Sequence, residues 1–310
     1  MIEGVMMRGT RALAVAVRNP EGEIVVHTEP LDMRIYGGRV ARMPFLRGLT
    51  LLWDALGLGV KSLMFSAEVA LEEENKDASG EPAKVFEGPA QWGTVLFSLS
   101  FSVLLFIVFP AFVAGLAERW FEFAASRVVS NLIEGVVRLT LLIGYIWGIS
   151  FIPDIKRLYG YHGAEHKTIN AYEAGVRLTP QTVKRFPLEH PRCGTAFLLT
   201  VVIFSILLYT LLPPMGILAR IASRLVLLPV IAGMGYEFLK FTAAHQDNAL
   251  IRFITRPNLL LQRLTTREPD EGMLEVAIAA LNHVLAYEHS QETVADDLIF
   301  LEVAPGSAAP

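Results

Sequence analysis

An uncharged apolar run over residues 94–117 constrains the fold of this chain more than any other feature of its sequence. The run contains 24 residues without a charged side chain, and about 20 apolar residues in a helix are enough to cross the hydrocarbon core of a bilayer. Three more apolar runs follow at 132–152, 196–212 and 221–241. The sequence therefore predicts a mainly α-helical, polytopic membrane protein with about four transmembrane helices, in a membrane domain over 94–241.

The composition agrees with a membrane domain. Of the 310 residues, 53% are hydrophobic and 19% are charged, whereas soluble domains contain about 45–50% apolar and about 25% charged residues. The net charge is −4 and the sequence has no basic tract, so we expect no nucleic acid as a partner. The expected partner is the lipid bilayer, and assembly into a homo-oligomer stays open.

The charges of the short loops predict which side of the membrane they face. The loop over 153–195 carries seven Lys and Arg residues, whereas the loop after the first span carries two Arg and two Glu residues. Short cytoplasmic loops are enriched in Lys and Arg. We therefore expect the 153–195 loop to lie in the cytoplasm, together with both termini.

The segments that flank the membrane domain divide into smaller units. Apolar runs on either side of a turn-forming Asn-Pro-Glu-Gly segment predict strands at 12–17 and 23–27. Further along, charges recur every seven residues from Arg47 to Glu68 and form one stripe on an apolar helix. The predicted units are a small β-rich cytoplasmic cap (1–43), an amphipathic interfacial or re-entrant helix (44–71), an acidic linker (72–93), a cytoplasmic helical tail (242–303) and a disordered end (304–310).

The cytoplasmic loop carries the pattern His-x-x-Glu-His within a predicted helix over 161–174. At about 100° per residue, His162 and His166 share one face of this helix. Two imidazoles at this spacing can chelate a metal ion while a neighbouring carboxylate activates a water molecule. We therefore interpret His162 and His166 as ligands of a divalent metal, with zinc expected, and Glu165 as the catalytic general base.

A catalytic zinc site also needs a third protein ligand and one open coordination position. Glu173 lies on the same helix face as the two histidines, about three turns further along. His190 and Cys193 form a second pair of metal-ligand residues, directly before the third apolar run. Each of the three is a candidate third ligand, and a site with four protein ligands would be structural instead of catalytic.

Five blocks of the sequence resemble the YqhQ-like family, a bacterial membrane family of unknown function whose members are described as predicted metal-dependent enzymes. The resemblance extends over nearly the whole chain. It implies a multi-pass protein of the bacterial cytoplasmic (inner) membrane, and it supplies neither a substrate nor a mechanism. The blocks are Ile2–Gly9, Pro44–Gly48, Tyr161–Lys167, His190–Thr195 and Thr265–Asp270.

Two functions from different classes are compatible with these features. The first is a membrane-embedded, metal-dependent hydrolase that acts at the cytoplasmic face through the His162–His166 motif and Glu165. The alternative is a non-enzymatic, oligomeric scaffold or channel in which the His, Glu and Cys residues form a structural cluster. The sequence identifies no substrate for the first function.

Overall fold

The structure of the chain is a computed structural model that describes residues 1–36, 38, 43–48, 57–70, 89–213 and 215–302. Within these residues the chain is mainly helical and contains one three-stranded sheet. The strands are β1 (Gly4–Arg8), β2 (Ala12–Arg18) and β3 (Ile24–Pro30). The helices are α1 (Met33–Tyr36), α2 (Gly59–Ala70), α3 (Pro89–Val103), α4 (Phe109–Trp120), α5 (Arg127–Ile149), α6 (Pro153–Glu173), α7 (Pro180–Val183), α8 (Gly194–Thr210), α9 (Ile217–Ala244), α10 (Ala249–Thr265) and α11 (Glu271–Glu302).

The antiparallel sheet has the order β1-β2-β3. The strands predicted at 12–17 and 23–27 correspond to β2 and β3, and β1 is an additional strand. The turn between β2 and β3 is closed by Asn19, whose side-chain oxygen accepts a hydrogen bond of 2.7 Å from the backbone N–H of Glu23. Gly22 has a φ of 90° in this turn, a conformation that glycine adopts without steric cost.

Helices cover both faces of the sheet. On one face, Ala14 and Ala16 pack in a core with Leu274 of α11. On the other face, Leu13 packs in a core with Phe65 of α2. Residues 12–17 of β2 are buried at every position because α11 covers one face of the sheet and α2 covers the other. This packing stabilises a sheet that would be only marginally stable alone in water.

Three helical stretches in the described residues are long and apolar enough to cross a membrane: Gly93–Trp120, Arg127–Ile149 and Ile217–Ala244. The helix Gly194–Thr210 is apolar but has 17 residues. All four predicted apolar runs are therefore helical, and three of them reach the length of a span. Large apolar side chains on the first stretch are exposed, as for Phe97 at 73%, which suits contact with lipid.

Charged side chains are buried between these helices. Glu134 and Arg138 lie four residues apart in α5 and form an ion pair, with 2.7 Å between Oε1 and Nη2. Arg224 of α9 also bonds Glu134, at 2.8 Å. Arg138 Nε donates to the carbonyl oxygen of Phe106 at 2.8 Å. That carbonyl lies in the π-helical turn that joins α3 to α4, and Pro110, four residues later, has no N–H to donate to it.

The segment 44–71 differs from its prediction. Residues 43–48 form a turn, helix α2 follows further along, and residues 49–56 lie outside the described part of the chain. Arg47 lies in the turn, and its Nε donates to Glu237 of α9 at 2.6 Å. Arg47, the first member of the predicted stripe, therefore lies in a turn and not on the helix that carries Lys61 and Glu68.

The structure describes the other predicted units only in part. The linker at 72–93 lies outside the described residues up to residue 88, and α3 begins at Pro89. The predicted disordered end at 304–310 lies outside them entirely. The predicted loop over 153–195 begins with the 21-residue helix α6. Helix α6 packs against β1 and α11, and α10 packs against α8, which brings both ends of the former loop to one end of the helix bundle.

Candidate metal centre

Helix α6 and the beginning of α8 bring together three side chains of types that can bind a metal ion. His162 and His166 lie one turn apart on α6, and their ring centroids are 4.4 Å apart. Cys193 directly precedes α8, and its Sγ lies 3.3 Å from His162 Nε2. One ligand atom from each of the three residues lies within 4.8 Å of the other two. Ligand atoms of one tetrahedral zinc ion are about 3–4 Å apart at the usual bond lengths, so the three side chains could hold one metal ion by moving slightly closer together.

Backbone carbonyl groups fix the orientation of both imidazoles. His162 Nδ1 lies 2.9 Å from the carbonyl oxygen of Thr265, and His166 Nδ1 lies 2.5 Å from that of Leu188. A carbonyl oxygen only accepts hydrogen bonds, so each Nδ1 carries the proton. Each Nε2 is then the nitrogen available to a metal, which is the arrangement found around metal-binding histidines.

Gly163 allows the backbone carbonyl group of Arg267 to approach the helix closely. A Cβ atom at this position would overlap the carbonyl oxygen of Arg267 and would lie 2.9 Å from Leu188 Cδ2. The segment after α10 lies directly on α6 here, and the N–H of Arg267 donates to the carbonyl oxygen of Tyr159 at 2.9 Å. The glycine inside the histidine motif therefore has a packing role that keeps Thr265 within reach of His162.

The segment between α7 and α8 is held by polar side chains of two helices. Lys167 of α6 is buried and donates to the carbonyl oxygens of Lys184 and Phe186, both at 2.8 Å. Gln262 of α10 exchanges two hydrogen bonds of 2.9 Å with the backbone of His190. Because these bonds are buried and mutually satisfied, they fix the position of the chain that leads to Cys193.

The contact between Cys193 and His162 changes the pKa of both groups. Burial opposes the Cys193 thiolate, but hydrogen bonds from His162 and His166 outweigh it and lower the thiol pKa to about 4. Burial likewise opposes the His162 imidazolium, but the bond to Cys193 raises the imidazole pKa to about 9. Without a metal, the two groups therefore form a thiolate–imidazolium pair at neutral pH.

Glu165 is close enough to His162, His166 and Cys193 for their charges to affect its pKa. Burial raises the pKa of its carboxyl group, the two imidazoles of His162 and His166 oppose that change, and the charge of Cys193 adds to it. A higher pKa makes the carboxylate form of Glu165 a stronger proton acceptor. Its environment is therefore suited to acid–base chemistry.

Two of the candidate third ligands lie next to the cluster instead of within it. The ring centroid of His190 is 5.8 Å from that of His166, and its buried Nε2 makes no hydrogen bond within the described residues. Burial lowers the pKa of His190 to about 4, so the ring is neutral. Glu173 lies 3.5 Å from His190 Nε2 and forms an ion pair with Arg192.

A cavity of about 480 Å³ opens beside Cys193. This volume is within the usual range for small-molecule sites, about 300–1,000 Å³. Its walls are mainly apolar and come from the beginning of α8 and the end of α9, with two basic side chains among them. The lining includes Arg192, Cys193, Phe197, Tyr236, Leu239 and Lys240.

Sequence reasoning missed the residues that position the histidines. Leu188 and Thr265 act through backbone carbonyl groups, which carry no signal of residue type. Two features of the sequence pointed to this arrangement. One was Gly163, which lies between the two histidines, and the other was the Thr265–Asp270 block, to which no role had been assigned.

Comparisons with known proteins place the chain in a family. The profile of a family described as "Protein of unknown function (DUF1385)" matches residues 43–287. The chain is similar to the "Uncharacterized protein YqhQ" of Bacillus subtilis (strain 168), with 34% identity over 301 residues, covering 94% of this chain and 92% of the relative. No solved structure matches. The chain therefore belongs to the DUF1385 family.

Proposed function

We propose that this protein is a metal-dependent hydrolase that uses His162, His166 and Cys193 as the ligands of one zinc ion. The observation that supports the proposal is the convergence of the three ligand atoms within 4.8 Å of one another. Three protein ligands leave the fourth position of a tetrahedral zinc site open, which is typical of catalytic sites. The carbonyl groups that hold both Nδ1 atoms give the histidines the tautomer that this role requires.

In this proposal Glu165 moves the proton. A divalent metal in the site supplies a Lewis acid and an activated water molecule. Glu165 would accept a proton from the attacking water and return it to the leaving group, and its raised pKa favours the first of these transfers. The reaction class is hydrolysis of a peptide, ester or amide bond.

The cavity beside Cys193 gives the substrate its access in this proposal. It lies between the beginning of α8 and the end of α9, where apolar helices meet the polar segments that carry the metal ligands. We place the protein in the bacterial cytoplasmic membrane, with four spans and with α6, α10 and α11 on the cytoplasmic side, because the basic residues of 153–195 favour that side.

Metal content tests the proposal directly. Protein purified from membranes without chelators should contain about one zinc ion per chain by elemental analysis. His162→Ala and Cys193→Ser should lose the metal, whereas Glu165→Gln should retain it, because Glu165 is not a ligand. His245→Ala is the matched control, since His245 is exposed at the end of α9. Metal-free wild-type protein would reject the proposal.

A comparison of products then tests catalysis. Membrane lipids and peptides from cells that express wild type should differ from those of cells that express Glu165→Gln at equal protein and metal content. Identical profiles would argue against a hydrolase even if zinc is present.

One observation favours the non-enzymatic alternative. The buried, neutral His190 lies beside His166, with 5.8 Å between the ring centroids, and its Nε2 lies 3.5 Å from Glu173. If its ring turned toward the cluster and gave up the contact with Glu173, His190 would be a fourth ligand and would close the site, as in structural zinc centres. X-ray absorption at the zinc edge distinguishes the two: two nitrogen, one sulfur and one oxygen ligand support the hydrolase, and three nitrogen and one sulfur ligand support a structural centre in a membrane scaffold.

A further inference from the structure

A second group of charged side chains lies at the end of the bundle opposite the metal centre. Helix α8 begins next to Cys193 and has 17 residues, so it places the segment after Thr210 about 25 Å away. A cavity of about 60 Å³ lies between that segment and the beginnings of α5 and α9. Its polar lining consists of Glu118, Arg127, Ser130, Asn131, Arg220 and Arg224.

The ion pairs around this cavity leave an excess of positive charge. Glu118 pairs with Arg220 at 2.5 Å. Glu134 is shared by Arg138 and Arg224, at 2.7 and 2.8 Å. Within the described residues, the ion pairs of this network therefore contain two carboxylates and three guanidinium groups. The three arginines and Glu134 are buried between apolar helices, and Glu118 is half-buried. Charges at such depth are costly without a counter-charge, so one positive charge remains to be neutralised.

Arg220 also has an unused hydrogen-bond donor. Its side chain is 8% exposed, and its Nη1 is buried and makes no hydrogen bond within the described residues. Nη2 of the same guanidinium is occupied by Glu118. An unpaired buried N–H is destabilising, and an anion would relieve both this cost and the excess charge.

We propose that the cavity binds one phosphate-type oxyanion. Its volume holds about four or five water molecules, which is close to the size of a single tetrahedral oxyanion. A guanidinium group matches phosphate oxygens in geometry and charge, and Arg127 adds an exposed cationic side chain at the rim. The phosphate belongs either to a free ion or to a lipid headgroup at the membrane surface.

Binding to the full-length protein tests this site. In detergent, phosphate should raise the melting temperature of wild type more than chloride does at equal ionic strength. In lipid nanodiscs of phosphatidylcholine with added phosphatidate, native mass spectrometry should show retained phosphatidate. A shift with phosphate alone identifies the free ion, and retention of phosphatidate alone identifies the headgroup.

Variants separate a built site from general attraction of anions. Arg220→Gln should weaken binding by about tenfold to a hundredfold, because it removes a charged donor. Arg119→Gln is the matched control, since Arg119 is exposed on α4 and does not line the cavity. Ala125→Trp fills the exposed side of the cavity without removing a charge and should also weaken binding. It replaces Arg220→Gln in the test if that variant does not fold.

Either of two results overturns the proposal. One is wild-type protein that prefers neither phosphate over chloride nor phosphatidate over phosphatidylcholine. The other is binding that Ala125→Trp and Arg220→Gln leave equal to that of wild type.

Discussion

Cys193 Sγ lies 3.3 Å from His162 Nε2, although 31 residues separate them in the sequence. Cys193 occupies the position before the first turn of α8, where the helix dipole favours a negative charge. The same hydrogen bond between Cys193 and His162 contributes to both pKa shifts, to about 4 for the thiol and to about 9 for the imidazole. Between these two values the metal-free pair is ionised, and a zinc ion that binds there replaces the proton of His162.

The reactivity of Cys193 should depend little on pH in the metal-free protein. Because the pKa of its thiol is about 4, the thiolate fraction is nearly complete at both pH 6 and pH 8. The rate of alkylation by iodoacetamide should therefore change by less than about twofold, whereas an ordinary thiol slows nearly a hundredfold over this range. Cys193 is the single cysteine, so mass spectrometry reports its modification directly.

Urea-unfolded protein provides the control for this experiment, because it should show the ordinary steep dependence. Folded protein that shows the same steep dependence would contradict the thiolate–imidazolium pair. Added zinc should protect Cys193 from alkylation in wild type.

Metal removal should destabilise the folded protein. A ligand that binds only the folded state stabilises it by about 2.7 kcal/mol at a concentration one hundred times its dissociation constant. A chelator should therefore lower the melting temperature of zinc-loaded wild type, and should leave that of Cys193→Ser unchanged. An equal response of both proteins would show that the chelator acts elsewhere.

Substitution of Gly163 should damage the metal centre without touching a ligand. In Gly163→Ala, the new methyl group would collide with the carbonyl oxygen of Arg267, and overpacking of this kind costs about 1–3 kcal/mol. We expect a lower melting temperature and reduced zinc content. Gly194→Ala is the matched control, because a Cβ at Gly194 meets no atom within 4 Å. Equal zinc content in both variants would contradict the role given to Gly163.

Removal of the Glu134 carboxylate should strongly destabilise the helix bundle. Glu134→Ala would leave Arg138 and Arg224 buried without their shared counter-charge, and the loss of one partner of a buried pair costs about 3–5 kcal/mol. Thermal unfolding in detergent measures the effect. Glu122→Gln should stay within about 0.5 kcal/mol of wild type, since Glu122 is exposed after α4. A small effect of Glu134→Ala would show that lipid or water reaches the site.

The sequence indicated those parts of the metal centre that lie on one helix. His162 and His166 are four residues apart, and the helical repeat alone places them on one face. The same reasoning put Glu173 on that face, but the structure pairs Glu173 with Arg192 and His190 about three turns away from His162. The helical repeat shows which face a residue lies on, but two residues on one face can still be too far apart along the helix axis to bind the same ion. The proposed third ligand, Cys193, comes from another element.

The long apolar helices show the same division between local and tertiary information. The length and apolarity of residues 94–117 and the spacing of Glu134 and Arg138 follow from the sequence, because both depend on residues within one helix. The third member of that cluster, Arg224, is 90 residues from Glu134, and no local pattern connects them.

The sequence by itself therefore determined the apolar helices, two of the three strands and the pair of histidines, since the 3.6-residue and two-residue repeats are local properties of the backbone. Only the tertiary structure brought Cys193 to His162, rather than His190 or Glu173, and Arg224 to Glu134. Those choices depend on how α8, α9 and α10 pack against α5 and α6. Such packing is set by side-chain volume, by the close approach at Gly163 and by buried hydrogen bonds such as those of Gln262, all of which join residues far apart in the chain.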